Sequence, residues 1–152
     1  MKTLIINMIL IFAATISTAQ IYKMDNVYYS EKDNTPYTGI VEKYYDNGNL
    51  KLKMPLEEGR EDGKVYYYHE NGQIEEIRTY KDGKFHGKWV RWDENGNKLA
   101  VAHYYNGRKD GEWVIWDHHG VKRYHIYYDN GEKVGEWKAW NEQGNLVKTR
   151  NH

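Results

Sequence analysis

The chain has 152 residues, of which 29% are charged and 15% aromatic, and tyrosine and tryptophan far outnumber phenylalanine. Its 22 basic and 22 acidic residues cancel, and it has neither the basic excess of a nucleic-acid-binding protein nor a polybasic membrane patch. Because the sequence contains no cysteine, disulfides, thiolate nucleophiles and cysteine-ligated metals are also excluded.

Residues 1–19 have the pattern of a secretory signal peptide. Lys2 supplies a positive charge, an apolar run follows from Leu4, and the small residues Ser17 and Ala19 flank Thr18 before Gln20. The run is shorter than the roughly 20 apolar residues of a membrane-spanning helix. We therefore predict export, with a mature protein that begins at Gln20 and is periplasmic or secreted. A buried N-terminal strand and an uncleaved membrane anchor are the alternatives.

Residues 20–38 precede the repeated part of the chain and do not complete a repeat. The stretch "NVYYS" indicates a strand, and "EKDNT" indicates a turn. Exposed sheet edges invite pairing with other chains. We therefore predict that residues 20–38 form an N-terminal cap strand and turn that covers the edge of the sheet.

Residues 39–152 are predicted to contain five tandem repeats of 24 residues. A leading glycine marks the period at Gly39, Gly63, Gly87, Gly111 and Gly135. The two remaining columns hold every other glycine of the protein. The predicted repeats are 39–62, 63–86, 87–110, 111–134 and 135–152.

The glycines of the other two columns are predicted to be turn residues. They follow Asn, Asp or similar polar residues between segments rich in Val, Ile, Tyr and Trp, which is typical of β-hairpin turns. They are Gly48, Gly72, Gly96, Gly120 and Gly144 in one column, and Gly59, Gly83, Gly107 and Gly131 in the other. Each repeat then contributes two strands. The fold is predicted to be all-β, an elongated antiparallel β-meander of stacked hairpins that depend on their neighbours for stability.

Two ladders of side chains recur within the first strand of each repeat. The first ladder, two residues after each leading glycine, is Val41, Val65, Trp89, Trp113 and Trp137. It shares a face with the leading glycines, and we expect it to form a core stacked copy on copy, with rings lying over bare glycine backbone. A second ladder, on the opposite face unless a bulge intervenes, is predicted to be a partner-binding strip. Its residues are Tyr68, Trp92, Trp116 and Trp140.

The unit "G-x-W-x-x-W/Y-x-x-x-G" followed by "Y-x-x-G" resembles the MORN repeat, and more closely its bacterial variant, the YwqK-type antitoxin repeat. The resemblance covers residues 39–150. It implies an elongated antiparallel sheet and a role in scaffolding, membrane-adjacent attachment or partnering a toxin. It supplies no catalytic residues.

Side chains capable of catalysis or metal binding are present but do not form a recognisable site. The seven histidines occupy different positions of the 24-residue frame, so they do not build a column of metal ligands. Adjacent carboxylates in a strand point to opposite faces, and a flat meander offers no cleft for a glycosidase pair. We therefore predict a protein that is not an enzyme and has no metal or other cofactor.

Two functions fit these features. The first is an exported, non-catalytic repeat scaffold that binds a protein partner, with toxin neutralisation as one form of that role. The second is a cell-envelope module that binds a glycan or a lipid headgroup through an aromatic strip. The predicted signal peptide argues against a cytosolic antitoxin. Nucleic acid is not an expected partner.

Overall fold

A computed structural model of the protein describes residues 20–152, and the predicted signal peptide lies outside the described residues. Residues 20–152 form fourteen β-strands and no helix, so this part of the chain contains no helix long and apolar enough to cross a membrane. The strands are β1 (Ile21–Met24), β2 (Val27–Ser30), β3 (Gly39–Tyr44), β4 (Leu50–Glu57), β5 (Arg60–Glu61), β6 (Gly63–Tyr68), β7 (Ile74–Lys81), β8 (Lys84–Trp92), β9 (Lys98–Tyr105), β10 (Arg108–Lys109), β11 (Gly111–Trp116), β12 (Lys122–Asp129), β13 (Glu132–Trp140) and β14 (Leu146–Asn151).

Twelve of these strands form one sheet in which each long strand pairs with its neighbours in the chain. The order is β3-β4-β6-β7-β8-β9-β11-β12-β13-β14, and the short strands β5 and β10 pair with β4 and β9. Every pairing is antiparallel. This confirms the predicted all-β meander of stacked hairpins.

The sheet is held together at its turns as well as along its strands. In one column of turns, the glycine N–H donates to a backbone carbonyl 22 residues earlier, at 2.8 Å in each of four successive repeats: Gly59 to Tyr37, Gly83 to Glu61, Gly107 to Phe85 and Gly131 to Lys109. These bonds stack each turn on the preceding repeat. All nine glycines predicted to be turn residues have φ between 71° and 98°.

The leading glycines serve the backbone rather than aromatic packing. Gly87 has a φ of 87° and lies where the register between β7 and β8 shifts, so a β-bulge requires its left-handed backbone. We had expected rings to cover these glycines, and this is wrong for Gly87, whose nearest neighbour is the Thr79 side chain. A ring covers only Gly39, where an added Cβ would come within 2.6 Å of the Tyr37 hydroxyl.

The hydrophobic core lies at the N-terminal end of the sheet, on one face. Its buried residues are Val41, Met54, Leu56 and Val65, and Val65 has no exposed surface. All four alternate onto the same face as the first ladder. We call this face the cap-side face, and the other the opposite face.

Residues 20–38 cover this core as a two-stranded hairpin. Strands β1 and β2 pair with each other, and Ile21, Tyr28 and Tyr37 pack against the core cluster. The Tyr28 N–H donates to the Gly59 carbonyl at 2.8 Å, which attaches the hairpin to the first repeat. The cap therefore lies on the face of the sheet rather than on its edge, because its apolar side chains pack against the core. Within residues 20–152, no strand pairs with the outer edge of β3.

Candidate functional site

The four residues of the predicted binding strip occupy equivalent positions on the opposite face. Each is the last residue of its strand, beside a register shift, and each faces a residue of the next strand. The pairs are Tyr68 with Ile74, Trp92 with Lys98, Trp116 with Lys122 and Trp140 with Leu146. The shift adds a residue to the partner strand and leaves the ladder strand regular, so these rings remain on the face predicted by alternation.

The strip is a series of separate rings rather than a continuous stack. Successive rungs are two strands apart, or about 10 Å, which is too far for ring contact. All four rings are half-buried. Tyr68 stacks only on its strand neighbour Tyr66, with ring centroids 6.5 Å apart, and the Lys122 ammonium lies 5.6 Å from the centre of the Trp140 ring. Half-buried rings of this kind present one surface to a ligand and are fixed by neighbours on the other.

An open apolar groove lies beside the Trp92 ring. It has a volume of about 380 Å³ and is lined by Gln73, Ile74, Ile77, Trp92 and Gly96. Ile74 is 37% exposed on this face although no described segment covers it. The groove extends the strip with aliphatic surface, so it suits an apolar side chain of a partner.

The first ladder departs from the predicted copy-on-copy stack. Trp89 and Trp113 contact each other, with ring centroids 6.3 Å apart, but Trp137 instead stacks on Tyr124 at 6.4 Å. All three tryptophans are half-buried, so the prediction that they form the core is wrong. The buried core lies in the first two repeats, where valine replaces tryptophan and the cap hairpin covers the face.

A run of alternating rings crosses the cap-side face beyond the core. Neighbouring ring centroids are 4.8 to 5.3 Å apart, and the run is Tyr80, Phe85, Tyr104, Trp113 and Tyr128. The Trp113 indole N–H also donates to the His103 carbonyl at 3.1 Å. The contacts therefore pass from one repeat to the next through tyrosines of the second strands, which is why the ladder tryptophans need not touch.

A polar network links the core to this run of rings. The Glu76 carboxylate is 6% exposed and accepts hydrogen bonds from the Arg78 guanidinium and the Trp89 indole N–H. The Arg78 guanidinium lies 4.5 Å from the centre of the Tyr67 ring and bonds the Tyr67 hydroxyl at 3.3 Å. Burial by itself would lower the Arg78 pKa, but bonding to Glu76 outweighs it and raises that pKa. The network keeps the only buried carboxylate of residues 20–152 paired.

Three tyrosines around this network are partly withdrawn from water. Burial raises the pKa of Tyr67, Tyr80 and Tyr104, because the charged phenolate is disfavoured in an apolar environment, although the nearby Arg78 cation opposes the shift. At neutral pH these side chains are therefore uncharged packing groups, with no tendency to act as bases.

The histidines are dispersed through the sheet and its turns. His125 contacts the Glu112 carboxylate at 2.9 Å, and the rings of His118 and His119 lie 4.0 Å apart at a turn. Between Gln20 and the C-terminal residue, no three His, Asp or Glu side chains are close enough together to hold a metal ion.

Comparison with known families matches part of the chain. The model for the MORN repeat variant matches residues 37–57, 61–82 and 85–106. The chain therefore carries MORN repeats in its N-terminal and central parts, and such repeats are compatible with a scaffold that binds partners or membranes. A comparison with the curated proteins finds no match.

Proposed function

We propose that the protein is an exported, non-catalytic repeat scaffold that binds a protein partner through the opposite face of its sheet, in a toxin-neutralising or immunity-like role. The observation that carries the proposal is the row of half-buried rings on that face, with the apolar groove beside Trp92. Interfaces favour such anchors because a fixed aromatic ring loses little conformational entropy on binding.

The surroundings of the strip also favour a protein partner. Large apolar side chains stay exposed on this face next to the rings, including Ile40 at 55%, Tyr44 at 45% and Tyr127 at 41%. Aliphatic and aromatic groups together bury the kind of surface that a protein interface needs. A glycan or lipid-headgroup ligand is the alternative, supported by the Lys122 ammonium over the Trp140 ring, since a cation beside a ring suits a polar ligand.

The proposal can be tested by capture from cell-envelope extracts. The purified protein would be immobilised and compared with a Trp92→Ser/Trp116→Ser variant, both first shown to be folded by circular dichroism. We expect one protein to be retained by the unmodified chain and lost with the variant. Retention of polysaccharide or lipid instead would favour the alternative, and equal retention by both chains would exclude the strip as the binding surface.

Export and toxin neutralisation need separate tests. Intact-mass measurement on secreted or periplasmic material should show a chain that begins at Gln20. If the captured protein is a toxin, co-expression should restore growth, and the Trp92→Ser/Trp116→Ser variant should not. A soluble cytoplasmic product that retains residues 1–19 would contradict export.

A further inference from the structure

We infer that the cap-side face of the C-terminal repeats is a second docking surface, and that it binds an acidic segment of another protein. The surface is formed by the rings of Trp113, Tyr128 and Trp137 with the ammonium groups of Lys109 and Lys133; we call it the distal cap-side surface. It lies on the other face from the proposed binding strip, so the inference is independent of the proposed function.

Each lysine of this surface lies over an aromatic ring. The Lys109 ammonium is 4.4 Å from the centre of the Trp113 ring and 5.0 Å from that of Tyr128. The Lys133 ammonium is 5.3 Å from the centre of the Trp137 ring. Cation–π contacts hold the lysine side chains above the rings, so a ligand meets positive charge and aromatic surface together.

The repeat frame indicates what this surface would bind, because the same position is already used at the covered end of the sheet. Lys109 and Lys133 are equivalent to Glu61, 48 and 72 residues earlier in the chain. Glu61 contacts the Lys23 ammonium of the cap hairpin at 3.6 Å. A segment docking on the distal surface in the manner of the cap would meet lysine where the cap meets glutamate. Charge complementarity therefore requires carboxylates in that segment.

The distal surface is positive throughout. Lys148 and Arg150 alternate onto the same face, and the Lys148 ammonium lies 5.2 Å from the centre of the Trp137 ring. On the opposite face, Glu112 contacts His125 and Glu136 contacts Lys138. The other acidic residues of this part of the chain flank turns: Asp110, Asp117, Asp129, Glu132 and Glu142. Carboxylates of the chain itself therefore do not neutralise the surface.

Apolar side chains on the same face remain open to solvent. Tyr124 is 41% exposed and Ile115 is 36% exposed, whereas the equivalent face of the first repeats is closed by the cap hairpin. The cap of a second copy does not fit here, because its Lys23 would meet Lys109 or Lys133. An extended or hairpin segment that alternates acidic with aromatic or aliphatic residues satisfies both the charges and the rings.

The probe for this inference is a short synthetic peptide that alternates glutamate with tyrosine. Its binding to the full chain would be followed by NMR through the indole N–H signals of the six tryptophans. We expect shifts at Trp113 and Trp137, with affinity that falls as salt is added. A peptide that alternates lysine with tyrosine should not bind at these rings.

Two variants with the same change in net charge test the assignment. Lys109→Glu/Lys133→Glu should bind the acidic peptide about tenfold more weakly, or worse, since two attractions become repulsions. Lys98→Glu/Lys122→Glu, on the opposite face, should bind it with unchanged affinity. Both variants would first be matched in thermal midpoint with the unmodified chain; if the first does not fold, Lys109→Gln/Lys133→Gln replaces it, with a smaller loss expected.

The inference is overturned by any of four results. These are no binding of the acidic peptide, shifts confined to Trp92, Trp116 and Trp140, equal weakening in both charge variants, or binding of vesicles containing phosphatidylglycerol without binding of the peptide. The outcome separates from that of the proposed function. An envelope protein that needs Trp92 and Trp116 could be captured whatever the peptide does, and the peptide could bind although no envelope protein is captured.

Discussion

The backbone N–H of Gly107 donates to the carbonyl of Phe85 at 2.8 Å, joining a turn of the third repeat to the end of the second. Asn106 and Gly107 both have positive φ, 47° and 83°, so the turn is of the two-residue type whose twist matches the flanking strands. Each repeat thus supplies the acceptor for the turn of the next, which keeps the turns in line along the sheet.

Replacement of Gly107 should therefore be limited by backbone conformation rather than by space. An added Cβ would be 3.9 Å from the Lys84 side chain, an ordinary contact. Gly107→Val should lower the free energy of unfolding by about 1–3 kcal/mol, because a β-branched residue is strained at positive φ. Gly107→Asn should cost clearly less, since asparagine tolerates this region. Denaturant melts would compare the two, and equal midpoints would contradict the turn assignment.

The turn at Gly59 should be more sensitive than the equivalent turn at Gly131. An added Cβ at Gly59 would lie 2.5 Å from the Val27 side chain and 2.6 Å from the Tyr28 carbonyl, whereas at Gly131 it would meet nothing within 4 Å. Gly131→Ala should cost about 1 kcal/mol from backbone strain alone. Gly59→Ala should cost at least about 2 kcal/mol more, because the cap hairpin must shift.

Paired thermal melts and hydrogen exchange measure this difference. We expect amide protection to fall across residues 20–38 in Gly59→Ala and to stay unchanged there in Gly131→Ala. Equal losses of stability in the two variants, with the cap still protected, would show that the hairpin does not rest on this turn.

Removal of the Glu76 carboxylate should leave the Arg78 charge without its partner. Glu76→Leu is expected to cost about 3 kcal/mol, as is usual when one member of a buried ion pair is removed. Glu75→Leu is the matched control; its carboxylate is more exposed and lies 3.5 Å from Arg91, so its loss should cost at most about 1 kcal/mol. Denaturant melts of both variants would give these values.

The double variant Glu76→Leu/Arg78→Met should recover part of the stability lost in Glu76→Leu. Methionine removes the unpaired charge and keeps an apolar side chain over the Tyr67 ring. A double variant less stable than Glu76→Leu by the full cost of Arg78→Met alone would show that the two residues act independently.

Stability should fall in alkaline solution as the buried tyrosines ionise. Because burial raises the folded pKa of Tyr67, Tyr80 and Tyr104 above 10.0, an unfolded chain releases these protons first. Their contribution to stability is complete below about pH 10 and is lost as the pH rises through the raised folded pKa values. Denaturant melts combined with tyrosinate absorbance would follow both changes.

A phenylalanine variant provides the control for this pH dependence. Tyr104→Phe should reduce the alkaline loss of stability while leaving the melt at neutral pH nearly unchanged, because Tyr104 acts mainly through its ring contacts with Phe85 and Trp113. Titration of all tyrosines near their ordinary pKa, with no loss of stability, would contradict the account of their burial.

The sequence was sufficient for the meander because its signals are local. The Asn-Gly at 106–107 predicts a turn whatever lies around it, and alternation correctly places Trp113 and Trp116 on opposite faces. The bulge at Gly87 was not predicted, because a register shift depends on how two strands pair, and a single strand carries no mark of it. Glycine in the left-handed region was the available signal, and it was interpreted as a packing feature.

The candidate surfaces were less predictable than the strands. Covered and open parts of the cap-side face differ through the cap hairpin, whose placement depends on contacts far apart in the chain, such as Tyr28 with Gly59. The pairing of Glu76 with Trp89 likewise joins residues of different strands. The exchange of Glu61 for Lys109 and Lys133 is visible in the repeat frame, but its meaning follows only once Lys23 is seen to contact Glu61.

The most direct test of the central claim compares Trp113→Ala with Trp116→Ala, two changes three residues apart in one strand. Trp113 contacts the rings of Trp89, Tyr104 and Tyr128, whereas Trp116 stacks on no described ring. Trp113→Ala should cost about 3–5 kcal/mol of unfolding free energy, and Trp116→Ala clearly less. With folded protein at equal concentration, Trp116→Ala should also lose the envelope protein captured by the unmodified chain. Full capture by Trp116→Ala, or a loss of stability equal to that of Trp113→Ala, would contradict a binding strip on the opposite face.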